Sequence, residues 1–224
     1  GRGKERGGSA SGPRQNGITW NGAVLCHAAL EQGPGTPNTI YYGADRVYRS
    51  ADNGLNNTVV SQSPITGGTA ISAIGISPQD DNLRIVGLQS GGIFGTTTGS
   101  STLTDLDAGN TVPNSYIART AVDPTNSNRA YVTLSVFGGV NVWKTSNLSN
   151  ANPTWTAAAT GLPQVPVSAF IIDPLDSNTL FAGTDIGVYT STDAGGTWTP
   201  FGTGLPRVAV FDMAITPAPR MLRI

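Results

Sequence analysis

The chain has 224 residues, and its 13 lysine and arginine residues nearly balance 14 aspartate and glutamate residues, for a formal net charge of −1. A chain of this length can bury roughly 70% of its unfolded surface in one core, so a single domain is expected. The near-neutral charge, with no basic run beyond the first 14 residues, argues against a nucleic-acid partner. No stretch reaches the roughly 20 apolar residues that cross a bilayer, so we expect no membrane span.

The first part of the chain carries few reactive groups. Cys26 is the only cysteine and lies in an apolar run, which predicts a buried thiol without a disulfide. His27 is the only histidine, so neither a histidine metal site nor a Ser-His-Asp triad is expected. We therefore predict no metal and no cofactor. Because the chain starts at Gly1 without a methionine, we expect a processed product or a piece of a longer chain or assembly.

A repeat organises the rest of the chain. Each copy has a proline, an asparagine four residues later and usually a glycine nine residues later. The copies are Pro34, Asn38 and Gly43; Pro78, Asn82 and Gly87; Pro124, Asn128 and Thr133; and Pro174, Asn178 and Gly183, with Pro217 opening a fifth. Successive prolines are 44, 46, 50 and 43 residues apart. A period in this range, filled only with strand-like segments, predicts one four-stranded blade of a β-propeller per repeat.

The fourth copy shows the strands most clearly. The β-branched and apolar residues that mark its strands are bounded by glycine and proline turns, and no segment of the chain predicts a helix. First strands are apolar at nearly every position, as expected for innermost strands packed on both faces. The fourth copy predicts strands at 167–172, 179–183, 187–190 and 197–201, and the other first strands are predicted at 71–76, 116–122 and 208–215.

A tight turn links the last two strands of this copy. Its aspartate can accept hydrogen bonds from backbone N–H groups of the turn, and Gly195 and Gly196 are expected to supply positive φ angles. Trp198 is expected to be buried between the outer strands of its own blade. Weaker versions occur at 50–54, at 96–101, and at 144–146 followed by 154–155. The five positions that define the turn are Ser191, Asp193, Gly195, Thr197 and Trp198.

These observations predict an all-β fold, a β-propeller of about five antiparallel four-stranded blades. The last blade is expected to be a composite of the two termini, in which Trp20 takes the place that Trp198 holds in the fourth blade. The alternative is a fragment of a larger, seven-bladed propeller. The predicted blades are 23–66, 67–113, 114–164, 165–206, and 207–224 together with 1–20.

The turn from Ser191 to Trp198 resembles the Asp-box, or BNR repeat. The fourth copy as a whole, from Asp173 to Pro206, resembles blades of bacterial sortilin-like proteins and of xyloglucan-active endoglucanases. That resemblance implies a propeller, although those families commonly have seven or ten blades, and it makes polysaccharide hydrolysis a candidate activity. Sialidases also carry Asp-boxes, but Arg84-Ile85-Val86 lacks the proline of their Arg-Ile-Pro segment, so a sialidase is disfavoured.

Glycoside hydrolysis requires two carboxyl groups about 5–10 Å apart. Asp45 and Asp185 occupy equivalent positions after the second strand, on the rim where the strand 2–3 and strand 4–1 loops meet and where propellers usually bind ligands. Asp212 shares a row of the innermost strands with Arg119, so both are expected to line the central channel. Asp80, Asp81 and Asp176 are expected in loops that join the first and second strands of their blades. All the remaining candidates are expected to be structural or solvated: Asp52, Asp80, Asp81, Asp123, Asp173, Asp176 and Asp193.

The leading interpretation is a non-catalytic, secreted or cell-envelope propeller of a bacterium that binds a glycan or a protein on this rim. The alternatives are a glycoside hydrolase, with Asp45, Asp185 and Asp212 as candidate catalytic residues, and a structural component of a larger assembly. The candidate binding residues are Asp45, Arg46, Arg119, Phe137, Asp185 and Arg207.

Overall fold

The computed structural model describes Leu25 and residues 28–224, with the side chain of Pro217 left out. The predictions for residues 1–20, Cys26 and His27 lie outside the described residues. Within them the chain is all-β, as predicted, and residues 28–224 contain strands, turns and bends but no helix.

Four antiparallel sheets follow one another along the chain, and in each the spatial order of the strands is their order in sequence. The first contains β1 (Leu30–Gly33), β2 (Thr39–Gly43), β3 (Val47–Ser50) and β4 (Thr58–Val59). The second contains β5 (Ile71–Ser77), β6 (Asp80–Leu88), β7 (Ile93–Thr96) and β8 (Thr104–Asp105). The third contains β9 (Ile117–Val122), β10 (Ala130–Leu134), β11 (Val142–Thr145) and β12 (Trp155–Ala157). The fourth contains β13 (Val167–Ile172), β14 (Leu180–Thr184), β15 (Gly187–Ser191) and β16 (Thr199–Pro200).

A two-stranded hairpin, β17 (Ala214–Pro217) and β18 (Arg220–Arg223), follows the fourth sheet. Sheets of four sequential antiparallel strands whose first strands pack on one another are the blades of a β-propeller. The described part of the chain therefore has the propeller fold, with four complete blades and a hairpin at the start of a fifth.

Burial is most complete in the first or second strand of a blade, and the outermost strands are mostly exposed. All seven residues of β5 and all five of β10 and β14 are buried, whereas both residues of β4, β8 and β16 are exposed. The apolar clusters lie between successive blades, and the cluster between the second and third blades includes Ile85, Ile117 and Val132. The core is thus a series of junctions between blades, which explains why the inner strands are apolar on both faces.

The repeated glycine lies at these junctions. A Cβ on Gly43 would come within 2.7 Å of Ile71, and one on Gly183 would come within 2.7 Å of Val210. A Cβ on Gly87 would likewise overlap the side chain of Ile117. In each pair the glycine on the second strand faces a β-branched residue seven positions before the next proline, so the repeat requires glycine because neighbouring blades approach closely there.

The third repeat has Thr133 at the glycine position. The Thr133 hydroxyl donates a hydrogen bond of 2.9 Å to the carbonyl of Val167, the β-branched residue that opens the fourth blade. Thr133 is fully buried. A polar contact therefore replaces the close apolar approach at this one junction, which explains why the repeat departs from glycine here.

Hydrogen bonds fix the turn after β15. Asp193 Oδ1 accepts from the Ser191 hydroxyl at 2.7 Å and from Thr197 N–H at 2.8 Å, and Asp193 Oδ2 accepts from the Thr197 hydroxyl at 2.8 Å. Ser191 Oγ accepts from Gly195 N–H at 2.9 Å. The positive φ angles belong to Ala194 (56°) and Gly195 (86°), so the prediction for Gly196 was wrong. Gly196 is needed because a Cβ there would lie 2.9 Å from the Asp193 carboxylate.

The same turn recurs in the other blades with different side chains. In the first blade Asp52 accepts from Ser50 and Asn56, and in the third Asn147 accepts from Thr145 and from the Thr154 N–H group. In the second blade the Thr96 hydroxyl accepts from the N–H groups of Thr98 and Ser100. All four turns therefore begin with a serine or threonine whose hydroxyl forms hydrogen bonds within the turn. The residue two positions later is an aspartate only in the first and fourth blades.

Trp198 is buried, with 3% of its surface exposed, and its indole N–H donates to the Ala158 carbonyl at 2.8 Å. Its apolar neighbours are mainly on the third blade and at the start of the fourth, and include Tyr131, Val142 and Phe170. The side chain therefore packs at the junction with the preceding blade, and the expectation that it would lie between the outer strands of its own blade was wrong. Trp155 behaves alike, since its indole N–H donates to the Leu106 carbonyl of the second blade at 2.8 Å.

The C-terminal hairpin differs from the other blades. A first strand was predicted over residues 208–215, but only residues 214–217 form a strand, because β18 offers four residues for pairing. The hairpin is attached to the fourth blade by Ile215 and Leu222, which pack against its apolar cluster. Arg220 also forms an ion pair with Asp173, a carboxylate that is fully buried at the end of β13.

One loop assignment was also wrong. Asp80 and Asp81 were placed in a loop, but both belong to β6, which begins after a tight turn. Asp81 accepts a hydrogen bond of 2.8 Å from Arg49 Nε and another from the Thr39 hydroxyl, so it joins the first blade to the second. The residue is structural, as predicted, through an ion pair between blades that the sequence pattern does not reveal.

Candidate functional site

The innermost strands surround a central channel. Two cavities, of about 390 and 380 Å³, lie along it, and both are lined by Glu31, Ile74, Arg119 and Asp212. These volumes are in the range of ordinary ligand sites. The shared residues place a charged cluster, Glu31, Arg119 and Asp212, between the two cavities.

The two cavities belong to opposite ends of the channel. The larger is lined by the ends of the first strands and by the repeat prolines Pro78, Pro124 and Pro174. The smaller is lined by residues at the starts of these strands, including Ser72 and Tyr116. The smaller cavity therefore opens toward the rim formed by the strand 4–1 and strand 2–3 loops, which we call the ligand rim.

Arg119 is held in place by three oxygen atoms. Its Nη1 donates to the Ala118 carbonyl at 3.0 Å, and its Nη2 donates to the Phe211 carbonyl at 2.8 Å. The same Nη2 lies 3.7 Å from Asp212 Oδ1, in an ion pair whose aspartate is 90% exposed. The structure thus brings Arg119 and Asp212 together in the channel wall, with the guanidinium partly engaged and 40% of the Arg119 side chain exposed.

Glu31 is the functional candidate that sequence reasoning missed. It lies on β1, is half-buried, and accepts a hydrogen bond of 3.0 Å from the N–H group of Gln32. No cation among the described residues lies within ion-pair distance of it. Burial raises the pKa of the Glu31 carboxyl above its ordinary value, the Gln32 N–H group and Arg119 act to lower it, and Asp212 acts to raise it.

A signal for Glu31 was present in the repeat. Glu31 stands three residues before Pro34, and the equivalent positions in the next three copies are Gly75, Ala121 and Ile171. A carboxylate in a row that is otherwise neutral, on an innermost strand, indicates either a paired charge or a wet channel. Arg119 and Asp212 stand five residues before their prolines, so the row that they share does not include Glu31.

Asp45 and Arg46 lie in the turn between β2 and β3 and bind each other. Arg46 Nε and Nη2 donate to the two carboxylate oxygens of Asp45 at 2.9 and 2.8 Å, and the Ser63 hydroxyl donates to Asp45 at 3.3 Å. Hydrogen bonding from Arg46 is the main reason why the pKa of Asp45 lies below its ordinary value, although burial opposes it. Asp45 is therefore an ionised, structurally engaged carboxylate and a poor general acid.

The other rim candidates are more open. Phe137, between β10 and β11, is 71% exposed, and its loop is fixed by hydrogen bonds from Ser135 N–H to the Tyr116 carbonyl and from Gly138 N–H to the Gln164 carbonyl. Asp185, between β14 and β15, is half-buried, and Arg207 is exposed. Neither of these two charged residues forms an ion pair with any other described residue.

The predicted residues therefore divide into two groups. Arg119 and Asp212 meet in the channel with Glu31, while Asp45 and Asp185 lie on the first and fourth blades and share no hydrogen bond or ion pair. An aromatic residue accompanies the channel cluster, since Tyr116 lines the smaller cavity and is 36% exposed. The smaller cavity thus combines charged groups with an accessible aromatic side chain.

Within residues 28–224 and Leu25, no group of three or more histidine, cysteine, aspartate or glutamate side chains is arranged to hold a metal ion. The same residues include no helix of the length and apolarity that crossing a bilayer requires.

Comparisons with known proteins support the fold. No protein-family model matches the chain, and no curated protein matches it. Solved structures do match, including an ancestral GH74 enzyme, with a TM-score of 0.62 and 19% identity over 82% of this chain and 24% of that one. The β-propeller domain of Cps50 (Swd1) from Myceliophteria thermophila matches with a TM-score of 0.61 and 11% identity over 87% of this chain and 60% of that one.

Sqt1 from Chaetomium thermophilum also matches, with a TM-score of 0.59 and 17% identity over 81% of this chain and 48% of that one. At these identities the matches show the fold alone, and the chain spans less than two thirds of each of the three structures. The chain is therefore similar to β-propellers, and what it does has to be argued from its own channel and rim.

Proposed function

We propose that this chain is a non-catalytic binding propeller that takes a glycan at the channel mouth on the ligand rim. The observation that carries the proposal is the convergence of Glu31, Arg119 and Asp212 in a channel whose smaller cavity is also lined by the aromatic residue Tyr116. Aromatic rings pack against the apolar faces of sugar rings, and fixed charged groups hydrogen-bond to their hydroxyls.

Affinity electrophoresis or calorimetry with a panel of soluble polysaccharides tests this function. Tyr116→Ala removes the aromatic ring of a residue that lines the smaller cavity and should weaken glycan binding by about two- to tenfold, the usual contribution of one aromatic contact. Leu175→Ala is a matched control, because Leu175 is 63% exposed in the loop between β13 and β14 at the other end of the channel. Absence of binding to every polysaccharide, or equal losses in both variants, would contradict the proposal.

A second candidate function is glycoside hydrolysis. It is favoured by Glu31, whose raised pKa suits a general acid, and by Asp212, which lines the same cavities and could serve as the second carboxylate. The structural similarity to a GH74 enzyme and the sequence resemblance to xyloglucan-active endoglucanases add support. Release of reducing sugar from xyloglucan, lost in both Glu31→Gln and Asp212→Asn, would establish hydrolysis in place of simple binding.

The finer assignments are also proposals. We infer that the turn from Ser191 to Trp198 is an Asp-box, supported by the hydrogen bonds that Asp193 accepts from Ser191 and Thr197. We further propose that the protein is secreted or attached to the cell envelope of a bacterium, supported by the association of such proteins with few lysines, here 2 of 13 cationic residues. Fractionation of source cells tests this location.

A further inference from the structure

The charges that line the channel do not balance. Glu31, Arg119 and Asp212 are the only charged side chains among the described residues that line its two cavities, so two carboxylates face one guanidinium. The other described lining residues are neutral. The described part of the channel wall therefore carries an excess of one negative charge when both carboxylates are ionised.

Arg119 is the one cation among the described lining residues, and it is partly engaged. It donates to the carbonyls of Ala118 and Phe211 and is paired with Asp212. Two carboxylates beside one guanidinium give the described lining a field that favours a cationic ligand over an anionic one.

Glu31, in contrast to Arg119, has little to hold its charged group. It accepts one hydrogen bond, from its neighbour Gln32, and no described cation pairs with it, although burial raises the pKa of its carboxyl. A half-buried carboxylate with unused acceptor capacity is stabilised when a cationic donor reaches it. Because Glu31 lines both cavities, a ligand entering from the ligand rim would meet this carboxylate.

We propose that Glu31 makes the channel selective for a glycan bearing protonated amines, that is, an amino-sugar oligomer, over its neutral counterpart. The inference rests on the proposed glycan-binding function and adds the chemical class of the ligand. An ammonium group of the sugar donates to the Glu31 carboxylate, with Asp212 as the second acidic neighbour. Tyr116, which lines the smaller cavity, contacts a sugar ring.

The test compares a tetramer of glucosamine with a tetramer of N-acetylglucosamine, which has the same length without the charge. Binding is measured by calorimetry at several values from about pH 5 to pH 7, because burial raises the pKa of Glu31 above the ordinary glutamate value of about 4.3 and the preference requires its carboxylate form. Wild-type protein should bind the glucosamine tetramer about ten- to hundredfold more tightly, the range expected for a hydrogen bond between charged groups. Glu31→Gln should remove this preference, because it weakens binding of the glucosamine tetramer far more than binding of the acetylated tetramer.

Asp105→Asn is the matched control, because Asp105 lies on the outermost strand β8, away from the channel, and it should bind both tetramers as wild type does. Thermal unfolding of Glu31→Gln checks that it is folded. Equal affinity of wild type for the two tetramers, or a preference that survives in Glu31→Gln, would overturn the inference while leaving glycan binding intact. Failure of wild type to bind either tetramer or any other glycan would instead overturn the proposed function, and with it the inference.

Discussion

Asp193 shows how one carboxylate can hold a turn together. Its oxygens accept from the N–H group of Thr197 and from the hydroxyls of Ser191 and Thr197, and these hydrogen bonds hold the pKa of the Asp193 carboxyl at about 2, below its ordinary 3.8. All of them favour the ionised form. The turn is therefore stabilised by a charge that lies at the surface.

This lowered pKa predicts a pH dependence of stability. Because the carboxyl is more acidic in the folded chain than in the unfolded chain, the unfolded chain takes up the proton first as the pH falls. The stabilisation by Asp193 should be complete above about pH 4 and lost as the pH falls to about 2. Urea unfolding of wild type and Asp193→Asn across this range checks it, and a difference between the two that stays constant with pH would contradict it.

Trp198 predicts a second effect at the residue scale. Trp198→Ala removes a side chain that is 3% exposed and leaves the Ala158 carbonyl without its donor, so the free energy of unfolding should fall by about 3–5 kcal/mol. Chemical denaturation measures the change. Phe137→Ala is the control, because that ring is 71% exposed and its loss should change stability by less than about 0.5 kcal/mol. Wild-type stability of Trp198→Ala would show that the indole is not part of the core.

At the scale of the strands, the repeated glycines fix the spacing between blades. Gly183 on β14 has no room for a Cβ, because Val210 Cγ1 would lie 2.7 Å away and Ala169 Cβ 2.9 Å away. Both neighbours belong to the apolar cluster that joins the fourth blade to the C-terminal hairpin. The glycine is thus a packing requirement of the junction.

Gly183→Ala should therefore destabilise the protein by about 1–3 kcal/mol, the usual effect of overpacking a core. Val210→Ala alone should also destabilise it, but the double variant should be more stable than the sum of the single effects predicts, because the smaller residue makes room for the new methyl group. Gly109→Ala is the control, since the nearest atom to its Cβ would be 3.7 Å away. Additive single effects would contradict a direct contact between the two sites.

The sequence predicted the strands and blades well because their signals are local and repeated. The innermost strand β13 was predicted at 167–172 and lies there, because continuous apolar residues bounded by a turn proline have few alternatives. The hairpin was predicted poorly, because residues 208–213 look like a strand but pair with no strand among the described residues, although Val210 N–H donates to the Thr184 carbonyl. Strand propensity is local, whereas pairing depends on what lies beside the strand.

The candidate site was less accessible to sequence reasoning. Arg119 and Asp212 could be placed in the channel by counting along the repeat, but the carbonyls of Ala118 and Phe211 that engage Arg119 could not. Backbone acceptors carry no signature in the residue type. The pairing of Asp45 with Arg46 was likewise hidden, because adjacent residues of opposite charge form a bidentate ion pair only when the turn brings both side chains to one side.

At the scale of the whole molecule, Arg220 links the C-terminal hairpin to the fourth blade. In the third blade the equivalent buried aspartate, Asp123, pairs with Arg129 of its own blade, whereas Asp173 pairs with Arg220, 47 residues away. Thr179 stands where Arg129 would be in the fourth copy. The fourth blade therefore depends on the hairpin for the cation of its buried carboxylate.

Arg220→Met should accordingly destabilise the protein by about 1–3 kcal/mol, because it leaves Asp173 buried without its ionic partner. Asp173→Asn combined with Arg220→Met should recover part of this loss, since no charge then remains buried. Denaturant unfolding of the single and double variants provides the measurement. Arg207→Met serves as the control, because Arg207 is exposed and forms no ion pair with a described residue. A double variant no more stable than Arg220→Met would refute the role of the buried charge.

The contact between each glycine and the first strand of the following blade has a consequence for how the molecule responds to stress. A blade contributes half of each contact with its neighbours, so no blade completes its own core, and opening one junction exposes apolar surface on two blades at once. Stability should then be shared between nearest neighbours along the array. Slow hydrogen exchange should be found in the backbone amides of β6, β10 and β14, which lie between two junctions. The hairpin, which among the described residues packs against the fourth blade, should exchange first.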